Sequence, residues 1–187
     1  MIIAIRGLIG SGKTSLASYL EEEYDFKIIT CDQIVSDLYD HDEKMQQAVL
    51  ELLGLKVIDR QKIGEIVFKD AGKLKNLEAI IHPLIESECK KQLEIDRDIV
   101  FDCQIIEKLD IEYDFAIITT CNYETLKKRV MTRDNRSSDS FNAILNNQSN
   151  TYLLEKRSYV IDTTFDYQED IEKIIRSFNA SENWQNS

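Results

Sequence analysis

Residues 7 to 14 read Gly7-Leu8-Ile9-Gly10-Ser11-Gly12-Lys13-Thr14, which satisfies the GxxxxGK[ST] pattern of a phosphate-binding loop. That pattern works only where a strand runs through a glycine-rich turn into a helix, because the cradle is made of backbone N–H groups at the helix start. Both neighbours are legible. Ile2 to Ile5 is an apolar, β-branched run suited to a strand buried on both faces. From Thr14, the apolar positions Leu16, Ala17 and Leu20 lie opposite Glu21, Glu22 and Glu23, the pattern of an amphipathic helix. The loop and its helix start, Gly7, Leu8, Ile9, Gly10, Ser11, Gly12, Lys13, Thr14 and Ser15, are the expected binding residues for ATP or GTP. Within it, Lys13 would reach the β- and γ-phosphates and the Thr14 hydroxyl would ligate Mg²⁺.

The rest of the chain arranges itself around that unit. Phe26 to Thr30 predicts a second strand. From Asp32 to about Leu93 only helical periodicity appears: Met45, Val49, Leu52 and Leu53, then Ile63, Ile66 and Val67, then Leu74, Leu77, Ile80 and Ile81. Strands return at Ile99–Phe101, Phe115–Thr119 and Tyr159–Ile161. Strands alternating with helices predict right-handed βαβ units, hence an α/β fold with a five-stranded parallel sheet between helical layers. We expect a core of residues 1–31, 94–132 and 151–178, and a helical insertion over 32–93. A polar lid is expected over 133–150 and a flexible tail over 179–187.

Three more positions suggest chemistry. Asp102 ends the apolar run Ile99-Val100-Phe101, and ligands gather at the carboxyl ends of parallel strands. It is a candidate to hold Mg²⁺ with Thr14, the competing reading being a strand-end cap. Asp32 stands just past the second strand in the same way, where it could accept the proton of an acceptor hydroxyl or could cap the next helix. Residues 127–136 carry five positive charges against one negative. Arg129 and Arg133 there share a helix face and could converge on one triphosphate, or simply form a solvated basic face. His82 precedes the chain's single proline, Pro83, and a lone histidine is more often structural than chemical.

Composition removes several classes. With 187 residues, 43% hydrophobic, the chain suits one folded domain and not a disordered polymer. A net charge of −11 repels nucleic-acid phosphates, and no block of consecutive Lys and Arg offsets it. No stretch approaches the ~20 apolar residues of a membrane span. A cytoplasmic monomer is expected, without nucleic-acid or membrane partners. Cys31, Cys89, Cys103 and Cys121 are scattered, with no CxxC pair, and read as reduced core residues.

Taken together, the residues resemble one family, the dephospho-coenzyme A kinases, from Met1 to about Phe178. The likeness rests on the GSGKT loop, Asp32, the stretch Arg60–Phe68, and the string His82-Pro83-Leu84-Ile85. It continues through Asp102 with Glu107, Arg129, Arg133-Asp134, Gln148 and the ending Tyr159-Val160-Ile161-Asp162. The resemblance implies ATP-Mg²⁺ as phosphoryl donor, dephospho-CoA as the small-molecule partner, and phosphorylation of its ribose 3′-hydroxyl, the last step of CoA synthesis. Asp32 would then be the base, and Lys13 and Arg133 would stabilise the γ-phosphoryl group. Thr14 and Asp102 would hold the metal, and Asp32, His82, Pro83 and Asp102 would face the acceptor. Leu8, Thr30, Ser36, Gln104 and Thr163 depart from the family pattern.

Two other readings compete. Another small-molecule or nucleotide kinase would use the same Lys13, Thr14 and Asp32, but residues 33–93 contain one arginine, Arg60, to meet an acceptor phosphate. A nucleotide switch would need a guanine-reading [NT]KxD motif and a DxxG after Asp102, and the chain has neither.

Overall fold

The computed structural model describes residues 1–95, 98–134, 141–142, 145, 148 and 157–185. Strand β1 (Ile2–Gly7) is buried from Ile3 to Gly7, so neither face meets water and it must lie inside a sheet. It does: β1, β2 (Lys27–Thr30), β3 (Ile99–Asp102), β4 (Phe115–Thr120) and β5 (Ser158–Asp162) form one sheet in the order β2-β3-β1-β4-β5. Every pairing is parallel. Edge strand β5 accordingly leaves Val160 56% exposed.

Alternation along the strands sorts the core into two layers. Ile3, Ile5, Val100, Phe115 and Ile117 face α1 (Lys13–Tyr24) and the C-terminal helix, packing with Leu16, Leu20, Ile171, Ile175 and Phe178. Ala4, Ile29, Ile99, Phe101 and Ala116 face the other way, toward α2 (Cys31–His41), α3 (Glu43–Leu53), α4 (Arg60–Val67) and α5 (Ala71–Ile95). These four helices occupy the stretch where the sequence showed helical periodicity alone. Their starts are set locally: Asp42 accepts the Met45 N–H at 2.9 Å and Asp59 the Lys62 N–H at 3.1 Å. Pro83 lies inside α5, where it deprives the Ala79 carbonyl of its helical partner. Arg6 is buried on the Ala4 face and forms an ion pair with Glu107.

A third cluster, Leu126, Val130 and Phe141, seats the phosphate-binding loop through Leu8 and Ile9. Leu126 and Val130 belong to α6 (Tyr123–Asp134).

One expectation is corrected. Cys31 and Cys103 are not separate thiols but a disulfide, with Cα atoms 5.1 Å apart. The register explains it. Thr30 pairs with Asp102, so the next residue of each chain stands beside the other at ordinary strand spacing, a neighbourhood that a separation of 72 residues conceals. Cys89 and Cys121 remain free. The C-terminal helix, α7 (Gln168–Gln185), runs through residues 179–185, where no Gly or Pro stands to stop it. The expected lid, 133–150, lies mostly outside the described residues.

Candidate functional site

The site forms at the carboxyl ends of β1, β2 and β3, where the loop after β1 turns into α1. Gly12 caps α1 in the left-handed region at φ 95°, and a side chain there would meet the Thr163 hydroxyl at 2.9 Å. Glycine is therefore required at this position twice, by conformation and by space. The Lys13 ammonium donates to the Gly7 carbonyl at 2.9 Å and the Leu8 carbonyl at 3.1 Å, closing the loop on itself. The Ile9 N–H donates to Gln148 Oε1 at 2.8 Å. Ser11 is buried, and its hydroxyl lies 2.6 Å from that of Thr119. Because Thr119 gives its own proton to the Arg6 carbonyl, Ser11 is the donor of this pair, and its side chain supports the loop from beneath. Thr14 and Ser15, by contrast, are exposed.

A second network braces the loop from the side. The Thr163 hydroxyl donates to the Ser11 carbonyl at 2.7 Å. Arg129 in turn donates to the Thr163 hydroxyl and carbonyl, both at 2.8 Å, and to the Gly10 carbonyl at 3.3 Å. Arg129 thus spends its fork on the backbone of the loop and of the β5 end. Arg129 and Arg133, which the sequence places on one helix face, line one cavity, Arg129 with its fork on the loop backbone.

The acidic residues converge on Lys13. Burial pulls the Lys13 ammonium below the usual lysine range, Asp102 opposes that shift, Arg133 adds to it, and Asp32 opposes it. Burial likewise pushes the Asp102 carboxyl up, against the pull of Lys13 and with the push of Asp32. Asp102, Arg133 and Asp32 therefore all lie within electrostatic reach of Lys13, and Asp32 within reach of Asp102, although the four come from α1, α2, β3 and α6. Thr30 and Ile5 both sit opposite Asp102 in the sheet, which is why residues so distant in sequence meet.

Two cavities open from this cluster. One, of about 760 Å³, is lined by loop residues Gly10, Gly12, Lys13, Thr14 and Ser15 and by a stripe of α6: Thr125, Lys128, Arg129, Thr132 and Arg133. The stripe has i, i+3, i+4 spacing, a signal present in the sequence but read there only for the arginines. The other, of about 410 Å³, is mainly apolar, with Val35, Tyr39, Leu77, Ile81, Ile85 and Ile105 around Asp32, Glu78, His82 and Gln104. Burial holds His82 below the usual histidine range, Glu78 opposing and Lys108 adding to the effect. His82 thus enters this cavity, while Pro83 lies on the exposed side of α5 and does not line it. Tyr39, Glu78 and Ile105 had no distinguishing sequence signal.

The donor set suits a small hard cation. Thr14 offers an exposed hydroxyl and Asp102 a carboxylate, both oxygen ligands, as Mg²⁺ prefers when phosphates and water complete its shell. Among the described residues no group of three or more His, Cys, Asp or Glu could hold a metal alone.

Comparison with known proteins gives one consistent outcome. The model of the dephospho-CoA kinase family matches residues 1–172. The dephospho-CoA kinase of Fusobacterium nucleatum is 30% identical over 187 aligned residues, covering 94% of this chain and 96% of its own. That of Oceanobacillus iheyensis is 25% identical, covering 98% of each. Among solved structures, TT1252 from Thermus thermophilus superposes with a TM-score of 0.78 at 23% identity over 97% of each chain. Dephospho-CoA kinase from Campylobacter jejuni gives 0.60 at 22% over 95% of each. A deoxyadenosine kinase from M. mycoides gives 0.55 at 16%, covering 96% of this chain and 100% of its own. At these identities the structures speak for the fold.

Proposed function

The chain belongs to the dephospho-CoA kinase family, and from that footing we propose how its residues divide the work. The enzyme is an ATP-dependent kinase that transfers the γ-phosphoryl group of ATP to the ribose 3′-hydroxyl of dephospho-CoA, giving CoA. We assign ATP to the cavity between the loop and α6 and the acceptor to the apolar cavity beyond Asp32. The observation that carries this division is the cluster of Lys13, Asp32, Asp102 and Arg133, with Asp32 lining one cavity and Lys13 and Arg133 the other.

In this reading Asp32 accepts the proton of the 3′-hydroxyl as that oxygen attacks the γ-phosphorus, in line with the departing ADP oxygen. Lys13 exchanges its bonds to the Gly7 and Leu8 carbonyls for phosphate oxygens, and Arg133 stabilises the charge spread over the transferring group. Thr14 and Asp102 would hold Mg²⁺, which supplies charge neutralisation on the phosphates. The backbone N–H groups of residues 7–13, pre-set by the bracing of Ser11, Thr163 and Arg129, act by positioning. No helix among the described residues is long and apolar enough to cross a membrane.

The test is ADP release from ATP-Mg²⁺ with dephospho-CoA, run beside adenosine, nucleoside monophosphates and no acceptor. Release that requires dephospho-CoA and yields CoA supports the assignment; release driven equally by another acceptor, or by water, refutes it. Asp32→Asn should keep ATP affinity within about twofold and lower turnover by roughly 100-fold or more, the size expected of a general base.

A further inference from the structure

The acceptor of this enzyme carries a diphosphate between its adenosine and its pantetheine arm, yet the cavity assigned to it holds the wrong charge. Its ionisable lining is Asp32, Glu78 and His82, and the nearby Lys108 is tied to Glu78 at 2.9 Å. A dianionic group entering there needs a cation at the rim.

Arg60, at the first position of α4, is suitably placed. Its Nη1 donates to the Ser36 hydroxyl at 3.0 Å, and its guanidinium carbon lies 5.4 Å from the centroid of the Tyr39 ring. Tyr39 is 8% exposed and lines the acceptor cavity, and Arg60, itself outside that lining, packs against it. Both partners are neutral. The arginine is held in place while no carboxylate among the described residues pairs with it, and its side chain is exposed. A guanidinium fixed in advance loses little freedom on binding, and its planar fork matches two phosphate oxygens. Arg60 is also the single arginine of residues 32–93.

We propose that Arg60, oriented by Ser36 and Tyr39, binds the diphosphate of the acceptor and so selects nucleotide acceptors that carry one over bare nucleosides. This rests on the acceptor reading above and adds the residue that recognises its charge.

The test is initial-rate kinetics at saturating ATP for wild type, Arg60→Ala, Arg60→Gln and Arg60→Lys, with dephospho-CoA and with adenosine, which has the 3′-hydroxyl but no phosphate. Where adenosine turns over too slowly, its inhibition constant against dephospho-CoA is read instead. Arg60→Ala should raise the KM for dephospho-CoA about 10-fold or more, the usual worth of a charge-assisted pair. The adenosine constant, the ATP KM and the saturated turnover should stay within about threefold, since Arg60 is remote from the transferring group. Arg60→Gln, which can still reach Ser36, should behave like the alanine variant, and Arg60→Lys should recover part of the affinity. An unchanged KM in both neutral variants overturns the proposal. So does an equal loss with adenosine, which would make Arg60 a prop of the insertion. A wild type that makes CoA while the variants bind normally refutes this inference alone; a wild type that makes none removes the acceptor reading and this one with it.

Discussion

Replacing Thr163 by valine keeps the shape beneath Gly12 and removes one hydroxyl, so its effect measures the bracing of the phosphate-binding loop. That hydroxyl donates to the Ser11 carbonyl at 2.7 Å and accepts from Arg129 at 2.8 Å, and the residue is 4% exposed. Valine leaves the Ser11 carbonyl without that donor, at about 1–3 kcal/mol, and takes one bond from a charged guanidinium, at a similar cost. Arg129 keeps the Thr163 and Gly10 carbonyls, which limits the total to roughly 2–4 kcal/mol. At about 2–4 °C per kcal/mol for a domain of this size, the midpoint of unfolding should fall by about 4–15 °C. Part of the loss should appear in the loop itself, as a rise in the KM for ATP with a smaller change in saturated turnover. Thr163→Ser keeps the hydroxyl and should lie within about 1 kcal/mol of wild type. Calorimetry or circular-dichroism melting, with initial rates against ATP, decides the matter. If valine melts within a degree of wild type and binds ATP normally, the Thr163 network does not hold the loop, and the reasoning fails.

Arg133→Ala should lower turnover by roughly 100-fold with less change in ATP affinity; a loss confined to affinity would place Arg133 on the ground state and not on the transferring group. Cys31→Ser opens a covalent loop of 72 residues, and chain entropy sets the cost at about 4 kcal/mol at most. The variant should therefore melt lower than the oxidised wild type and match the wild type treated with reductant. Burial raises the Asp102 carboxyl, so the folded state holds that proton more tightly than the unfolded chain. Its contribution is then full below the unfolded value near 4 and is lost as pH climbs through the raised folded value. Asp102→Asn should remove this decline and melt above wild type at pH 7 without ligand, while losing turnover; a variant that melts lower would mean the ionised carboxylate stabilises the empty site.

What could be read from the sequence, and what could not, follows the range of each interaction. The loop, its strand and its helix are contiguous, so Gly7 to Ser15 announced themselves, and the buried runs at Ile2, Ile99 and Phe115 each declared a strand because both faces lie in the core. That Asp32 and Asp102 stand at strand ends was legible without knowing which strands are neighbours. The rest depended on that knowledge. The bond between Cys31 and Cys103 exists because β2 lies beside β3 and not beside β1, an order that hydrophobic patterning leaves open. Arg129 has the charge of a triphosphate ligand, and only the arrival of Thr163 from the far end of the chain shows that its fork is occupied with backbone. Arg60 was legible as the one arginine of the insertion, but its partners are a serine and a tyrosine that carry no signal by themselves. Residue types with strong local chemistry could be assigned from the chain alone; residues whose role is set by a partner a hundred positions away required the sheet.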